Sequence, residues 1–117
     1  MRADRNPLSV ARLLIKCKET IMLYHVRMDV LLPTDMDTDK ANELKATEKA
    51  LSQKLQEQGK WRHIWRLAGE YSNFSIFDVE SHEELHNIMM SLPLYPYMKV
   101  DVTPLLRHPS SVRDDDG

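Results

Sequence analysis

A chain of 117 residues, 42% hydrophobic and 29% charged, has room for one packed domain and none for a second, and its composition lies far from that of disordered sequences. Sixteen basic and eighteen acidic side chains give a net charge of −2, which excludes the broad basic surface that nucleic acid requires. The single cysteine, Cys17, supports neither an internal disulfide nor a thiolate metal site, and no apolar run nears the roughly 18 residues of a membrane span.

Leu13-Leu14-Ile15 is too short for a signal-peptide core, so a soluble, cytoplasmic protein without membrane partners is expected. So small a monomer leaves much surface exposed, which favours a homo-oligomer. Residues 1–21 read as an N-terminal extension: a peripheral helix, a disordered arm or the product of an upstream start codon.

From Tyr24 the apolar residues Tyr24, Val26, Met28, Val30 and Leu32 alternate with His25, Arg27 and Asp29, the period of a two-faced strand that Pro33 ends. Asp35, Asp37, Thr38 and Asp39 supply caps and favourable charge for a helix running to about Gln58, with Gly59 as its C-terminal stop. Alternation through Trp61, His63, Trp65 and Leu67, followed by the aromatic and β-branched run from Tyr71 to Val79, predicts a hairpin. Ser81 and Glu84 form a capping box before Leu85, Ile88, Met89 and Leu92, a short second helix stopped by Pro93 and Pro96. Met98, Val100 and Val102 alternate as a last strand, and residues 107–117 form an aperiodic surface tail. The order β-α-β-β-α-β is that of an α+β, ferredoxin-like domain over residues 22–106: a four-stranded antiparallel sheet with two helices on one face, the other face left to a partner.

In the first helix Ala41, Leu44, Leu51 and Leu55 define an apolar stripe, and Glu48 points within about 30° of its centre at about 100° per residue. An ionised carboxylate facing the sheet is costly and responds with a raised pKa, which suits it to carry protons near neutral pH. Lys45, three residues earlier, is close enough to pair with it. The bland alternative is that Glu48 snorkels to solvent and Lys45 makes an ordinary surface pair. His63 shares a strand face with Trp61 and Trp65 by alternation, either as a donor to a developing oxyanion in an aromatic pocket or as a packed structural histidine. The same alternation sends Arg62 and Arg66 to the opposite face.

His82-Glu83-Glu84-Leu85-His86 spells the H-E-x-x-H pattern of zinc proteases. Five residues are a weak signal, the first histidine falls in the first helical turn, and no third ligand is marked. These residues read as the polar edge of the second helix, and no metal site is assigned.

Several segments carry a resemblance: Leu44-Lys45-Ala46 with Glu48-Lys49, Trp61-Arg62-His63-Ile64-Trp65-Arg66, Tyr71-Ser72-Asn73, Phe77-Asp78-Val79, Leu92-Pro93-Leu94-Tyr95-Pro96-Tyr97-Met98 and Arg107-His108-Pro109-Ser110-Ser111. In order and spacing they resemble the muconolactone isomerases from Met22 almost to the C terminus. The resemblance implies sheet-to-sheet dimers and a ring-like decamer of such dimers. It also implies conversion of a small lactone, muconolactone, to the enol-lactone of 3-oxoadipate in catechol degradation, without a cofactor. On that reading Glu48 is the base, and Lys45 and His63 stabilise a dienolate. Arg107 and His108 recognise the substrate carboxylate, in their own or a neighbouring subunit's pocket, or anchor the tail, and Trp61, Tyr71 and Asn73 wall the pocket. A chloromuconolactone dehalogenase and a non-catalytic small-molecule binding module are the alternative functions.

Overall fold

A computed structural model describes residues 22–114. The expectations for residues 1–21, Cys17 included, lie outside the described residues. The first strand, β1, spans Met22–Val30. It ends two residues short of the Leu32 that alternation reached, because at Val30 its neighbour, the last strand of the chain, has only just begun: Val30 pairs with Met98, the first residue of that strand.

Helix α1 covers Thr38–Glu57, and its N-cap Asp37 accepts from the Lys40 N–H at 3.1 Å, so one of the free amides of the first turn is satisfied. Gly59 follows the helix with φ +79°. That left-handed turn carries the chain into β2, Trp61–Arg66, and then β3, Ser72–Val79. Helix α2 spans His82–Ser91 and is capped as read by Ser81, whose Oγ accepts from Glu84 N–H at 3.0 Å, while the Glu84 carboxylate reaches back one residue further than in a capping box and accepts from Glu80 N–H at 2.7 Å. A 3-10 turn at Tyr95–Tyr97 delivers β4, Met98–Leu105.

The four antiparallel strands lie in the order β2-β3-β1-β4, so the first and third strands are central and the element order is βαββαβ. One face carries the core: Tyr24, Val26 and Met28 of β1 and Phe77 and Val79 of β3 meet Leu55 of α1 and Leu85, Ile88 and Met89 of α2. Period-two burial along β1 and period-3.6 burial along the helices place both helices on that face. The opposite face bears Leu23, His25, Arg27 and Asp29 of β1 against Asp78, Ile76, Phe74 and Ser72 of β3. There Arg27 holds Asp29 at 3.1 Å and Glu70 at 3.0 Å and lies over the Phe74 ring. No helix among the described residues is long and apolar enough to cross a membrane.

One irregularity decides the geometry of the functional residues. Trp61 pairs with Phe77, but His63 pairs with Ile76, a register shift that makes a β-bulge at Arg62. The extra residue reverses the facing of everything that follows, since side chains alternate with a period of two. Trp61 therefore lies in the core, packed against Phe77 with ring centroids 4.7 Å apart and planes tilted by 35°, whereas His63 and Trp65 lie on the open face, stacked on each other at 5.1 Å.

Candidate active site

Along α1 the half-buried positions Ala41, Leu44, Glu48 and Leu51 follow the stripe expected from spacing. Glu48 sits inside it and faces the body of the protein. Its Oε1 accepts a hydrogen bond of 3.1 Å from the Leu94 backbone N–H, in the segment between α2 and the 3-10 turn. Burial pushes the Glu48 carboxyl above its ordinary value, and the Leu94 N–H, which favours the charged form, only partly offsets that. The result is a fixed carboxylate with two properties of a general base: a raised proton affinity and a second oxygen not engaged by Leu94.

Lys45 does not pair with Glu48. Its ammonium instead stands 5.4 Å from the centroid of the Tyr71 ring, with the Arg66 guanidinium at 5.2 Å from the same centroid. An aromatic face attracts a cation without neutralising it, so both positive charges are held at the rim of a recess. That recess, about 300 Å³, is lined by Val30, Ile64, Arg66, Tyr71, Ser72 and Asn73 at the end of the sheet. Asn73 is oriented within it: Ser75, fully buried, donates to Asn73 Oδ1 at 2.7 Å, which leaves the amide NH2 to serve as a donor. Lys45 precedes Glu48 by one helical turn, a rise of about 4.5 Å. Glu48, Lys45, Tyr71 and Asn73 thus belong to one end of the helix-covered side.

The remaining sequence-predicted residues go elsewhere. Trp61 is a core residue rather than a pocket wall, and its indole N–H is buried without an acceptor. His63, Arg107 and His108 line a different cavity, of about 490 Å³, on the open face. The bulge at Arg62 is the physical reason: without it His63 would share the Trp61 face. Arg62 stands on the open side, opposite Trp61 as expected, where it meets Asp78 at 3.7 Å; the bulge turns only Arg66 to the helix side, so the two arginines do not share a face as alternation predicted. Arg66, Leu94 and Arg62 were not among the candidate site residues. The resemblance segments contained all three, but only the partner strand and the 3-10 turn give them their places.

The H-E-x-x-H residues form part of α2 as expected for its polar edge. His82 Nδ1 is hydrogen-bonded with the Tyr24 hydroxyl, and Glu84 is engaged by Lys60 at 2.6 Å, which holds its carboxyl below the usual range. Among the described residues no group of three or more His, Cys, Asp and Glu side chains is placed to hold a metal ion.

The fold is that of a ferredoxin-like α+β protein whose first helix carries a half-buried carboxylate anchored to a backbone N–H, a group able to hold and move a proton. Comparison with known proteins gives the family. The profile of the muconolactone delta-isomerases matches residues 22–111, and the chain belongs to that family. It is 70% identical over 96 residues to the muconolactone delta-isomerase of Acinetobacter baylyi, an alignment covering 82% of this chain and all of that one. It is 57% identical over 95 residues to that of Pseudomonas putida, covering 81% and 99%. A crystal structure of muconolactone isomerase superposes with a TM-score of 0.78 at 58% identity, covering 82% of this chain and all of the other.

Proposed function

We propose that this chain is an isomerase that moves the ring double bond of muconolactone by proton transfer, with Glu48 as the base. The observation that carries the reading is the Glu48 carboxylate, half-buried on the sheet side of α1 and tethered at 3.1 Å by the Leu94 N–H. In an α,β-unsaturated lactone the ring proton on the γ carbon is acidic because its loss spreads negative charge through a dienolate to the carbonyl oxygen. Glu48 takes that proton; the C=C electrons shift, and the same proton or one from a neighbouring acid is delivered at the α carbon. The double bond then lies between the β and γ carbons, and the reaction balances without electron transfer or group donation.

The tether keeps the carboxylate from turning to solvent, and desolvation makes it a stronger base than a free glutamate. Lys45, held over Tyr71 and one turn from Glu48, supplies positive potential for the dienolate oxygen, and the Asn73 NH2 is a second donor at the recess. Arg66 over the same ring is the cation best placed on this side to meet the substrate carboxylate. His63, Arg107 and His108, on the other side of the sheet, take no part in proton transfer within one chain. Supporting the choice of substrate are the names of the relatives, which match this chain over nearly their whole length. The open face, with Trp65, Phe74 and Ile76, is the surface that a second copy would cover in a sheet-to-sheet dimer, the unit of the decamer that the resemblance implies.

The test is turnover of muconolactone by the purified protein and by Glu48→Gln, beside chloride release from the chlorinated lactone. Isomerisation lost by about 10²–10⁴-fold in a folded Glu48→Gln protein is expected. A fully active variant would remove Glu48 from the mechanism, and efficient turnover of the chlorinated compound alone would make the chain a dehalogenase.

A further inference from the structure

The buried polar side chains among the described residues are serines, Ser52, Ser72 and Ser75, and their hydroxyls have different uses. Ser52 donates back to the Lys49 carbonyl of its own helix at 2.9 Å, an ordinary bond along a helix. Ser72 donates to the Asp29 carboxylate on the open face. Ser75 is 0% exposed, and its hydroxyl goes to a side chain of the recess, Asn73 Oδ1 at 2.7 Å.

Nothing in the packing asks for a hydroxyl at that position. Ser75 lies on the helix-covered face of β3, two residues from Phe77, and its cross-strand partners are the fully buried Val26 of β1 and Ile64 of β2. A small apolar side chain would occupy the same space without the cost of taking a hydroxyl out of water. That cost is offset by one bond, and the bond ends on the amide of Asn73.

The bond selects one of two orientations of that amide. An Asn side chain presents an oxygen on one side and an NH2 on the other, and a half-turn exchanges them. With the NH2 turned to Ser75, the hydroxyl oxygen would accept from it, but the hydroxyl proton would be left without an acceptor in a dry interior. The recess pulls the other way. Arg66 is the cross-strand partner of Asn73 and lines the same recess, and the Lys45 ammonium stands over the adjoining Tyr71 ring. Two cations draw a carbonyl oxygen toward themselves, which would turn an acceptor, and so a repulsion, toward a developing oxyanion. The Ser75 hydroxyl holds that oxygen back and leaves the NH2 facing outward.

We infer that Ser75 is a positioning residue for isomerisation: it touches no substrate, and it fixes the Asn73 amide so that a donor, not an acceptor, meets the dienolate oxygen. The inference rests on the reading of this recess as the place where the dienolate is stabilised. It does not require Glu48 to be the base.

The experiment is steady-state kinetics on muconolactone for the full-length wild type, Ser75→Ala, Asn73→Ala and the double variant, with urea unfolding of each. Ser75→Ala should lower kcat about tenfold, less than the roughly 10²-fold typical of removing an oxyanion donor outright, with little change in KM. Its urea midpoint should equal or exceed that of the wild type, since the Asn73 amide it releases is only half-buried. In the Asn73→Ala background the same change should alter kcat by less than about twofold, because the group it positions is gone. Ser75→Cys, which keeps a weak S–H donor, should fall between the wild type and Ser75→Ala. Unchanged kcat in Ser75→Ala overturns the inference. So does an equal loss in both backgrounds, the mark of a packing effect, and this comparison decides even where Ser75→Ala lowers the urea midpoint. Full activity in Asn73→Ala also overturns it while leaving Glu48 as the base, whereas a fully active Glu48→Gln would remove that base and leave the Ser75–Asn73 comparison standing.

Discussion

Replacing Glu48 by Gln should make the protein more stable at neutral pH while it abolishes proton transfer. The carboxyl is held above its ordinary value mainly by desolvation, so the native state binds its proton more tightly than the unfolded chain does. For a carboxylate shifted upward, the stabilising contribution is present below the unfolded value and is lost as pH rises through the folded one. At neutral pH the ionised Glu48 is therefore a net cost, and a neutral isostere removes it. The Gln carbonyl can still accept from Leu94 N–H at the 3.1 Å position. Because the side chain is only half-buried, solvent screens much of the effect, and a gain of about 0.5–1 kcal/mol is reasonable, at the low end for neutralised functional sites. That corresponds to a few degrees in Tm for a domain of this size. The assay is urea unfolding of both proteins between acid and neutral pH. The difference should be near zero at low pH, where both side chains are neutral, and should grow in favour of Gln as pH rises. A Gln variant less stable than wild type at neutral pH, by an amount independent of pH, would refute the claim that burial of charge sets the Glu48 proton affinity.

Lys45→Met should leave the helix intact and reduce kcat by about 10²-fold, the usual loss on removing one stabiliser of an oxyanion, with steady-state kinetics separating this from a change in KM. Ser81→Ala removes the N-cap acceptor of α2 and should cost about 1 kcal/mol in urea unfolding. Gly59→Ala meets no atom within 4 Å at the added methyl, yet its φ of +79° remains, so a loss of about 1–2 kcal/mol from backbone strain alone is expected. Phe77→Ala, beneath Trp61 in the fully buried core, should lose about 3–5 kcal/mol and broaden the tryptophan signal in thermal melts.

Wherever a local period or cap determines structure, the residues announce it. Tyr24, Val26 and Met28 are buried in alternation, Asp37 and Ser81 cap the helices, and Glu48 lies in the stripe of α1 where its angle put it. What the chain order could not display is pairing set by a distant strand. Trp61-Arg62-His63-Ile64-Trp65 reads as unbroken alternation, and only the register against Phe77 and Ile76 inserts the bulge. Likewise Lys45 has a carboxylate three residues away but turns to Tyr71, an aromatic face brought by the β2–β3 connection. The tail was legible in part: His108-Pro109-Ser110-Ser111 has the residues of a turn, but the closing bonds run from Arg107 to backbone carbonyls that no side-chain pattern marks.

The bulge has a chemical consequence. By sending Trp61 inward it fills the core beneath the C-terminal half of α1, packed with Leu55, and so supports the helix that carries Glu48. By sending His63 outward it removes from that core an imidazole whose burial would need its own partners, and adds it to a cationic cavity on the far side. A single extra residue in β2 thus divides its charged side chains, sending His63 to the open face and turning Arg66, held over the Tyr71 ring, to the helix side. Had His63 shared the Trp61 face as strict alternation requires, its ring nitrogens would have stood among the apolar side chains around Phe77 and Leu55, where each polar atom needs a partner.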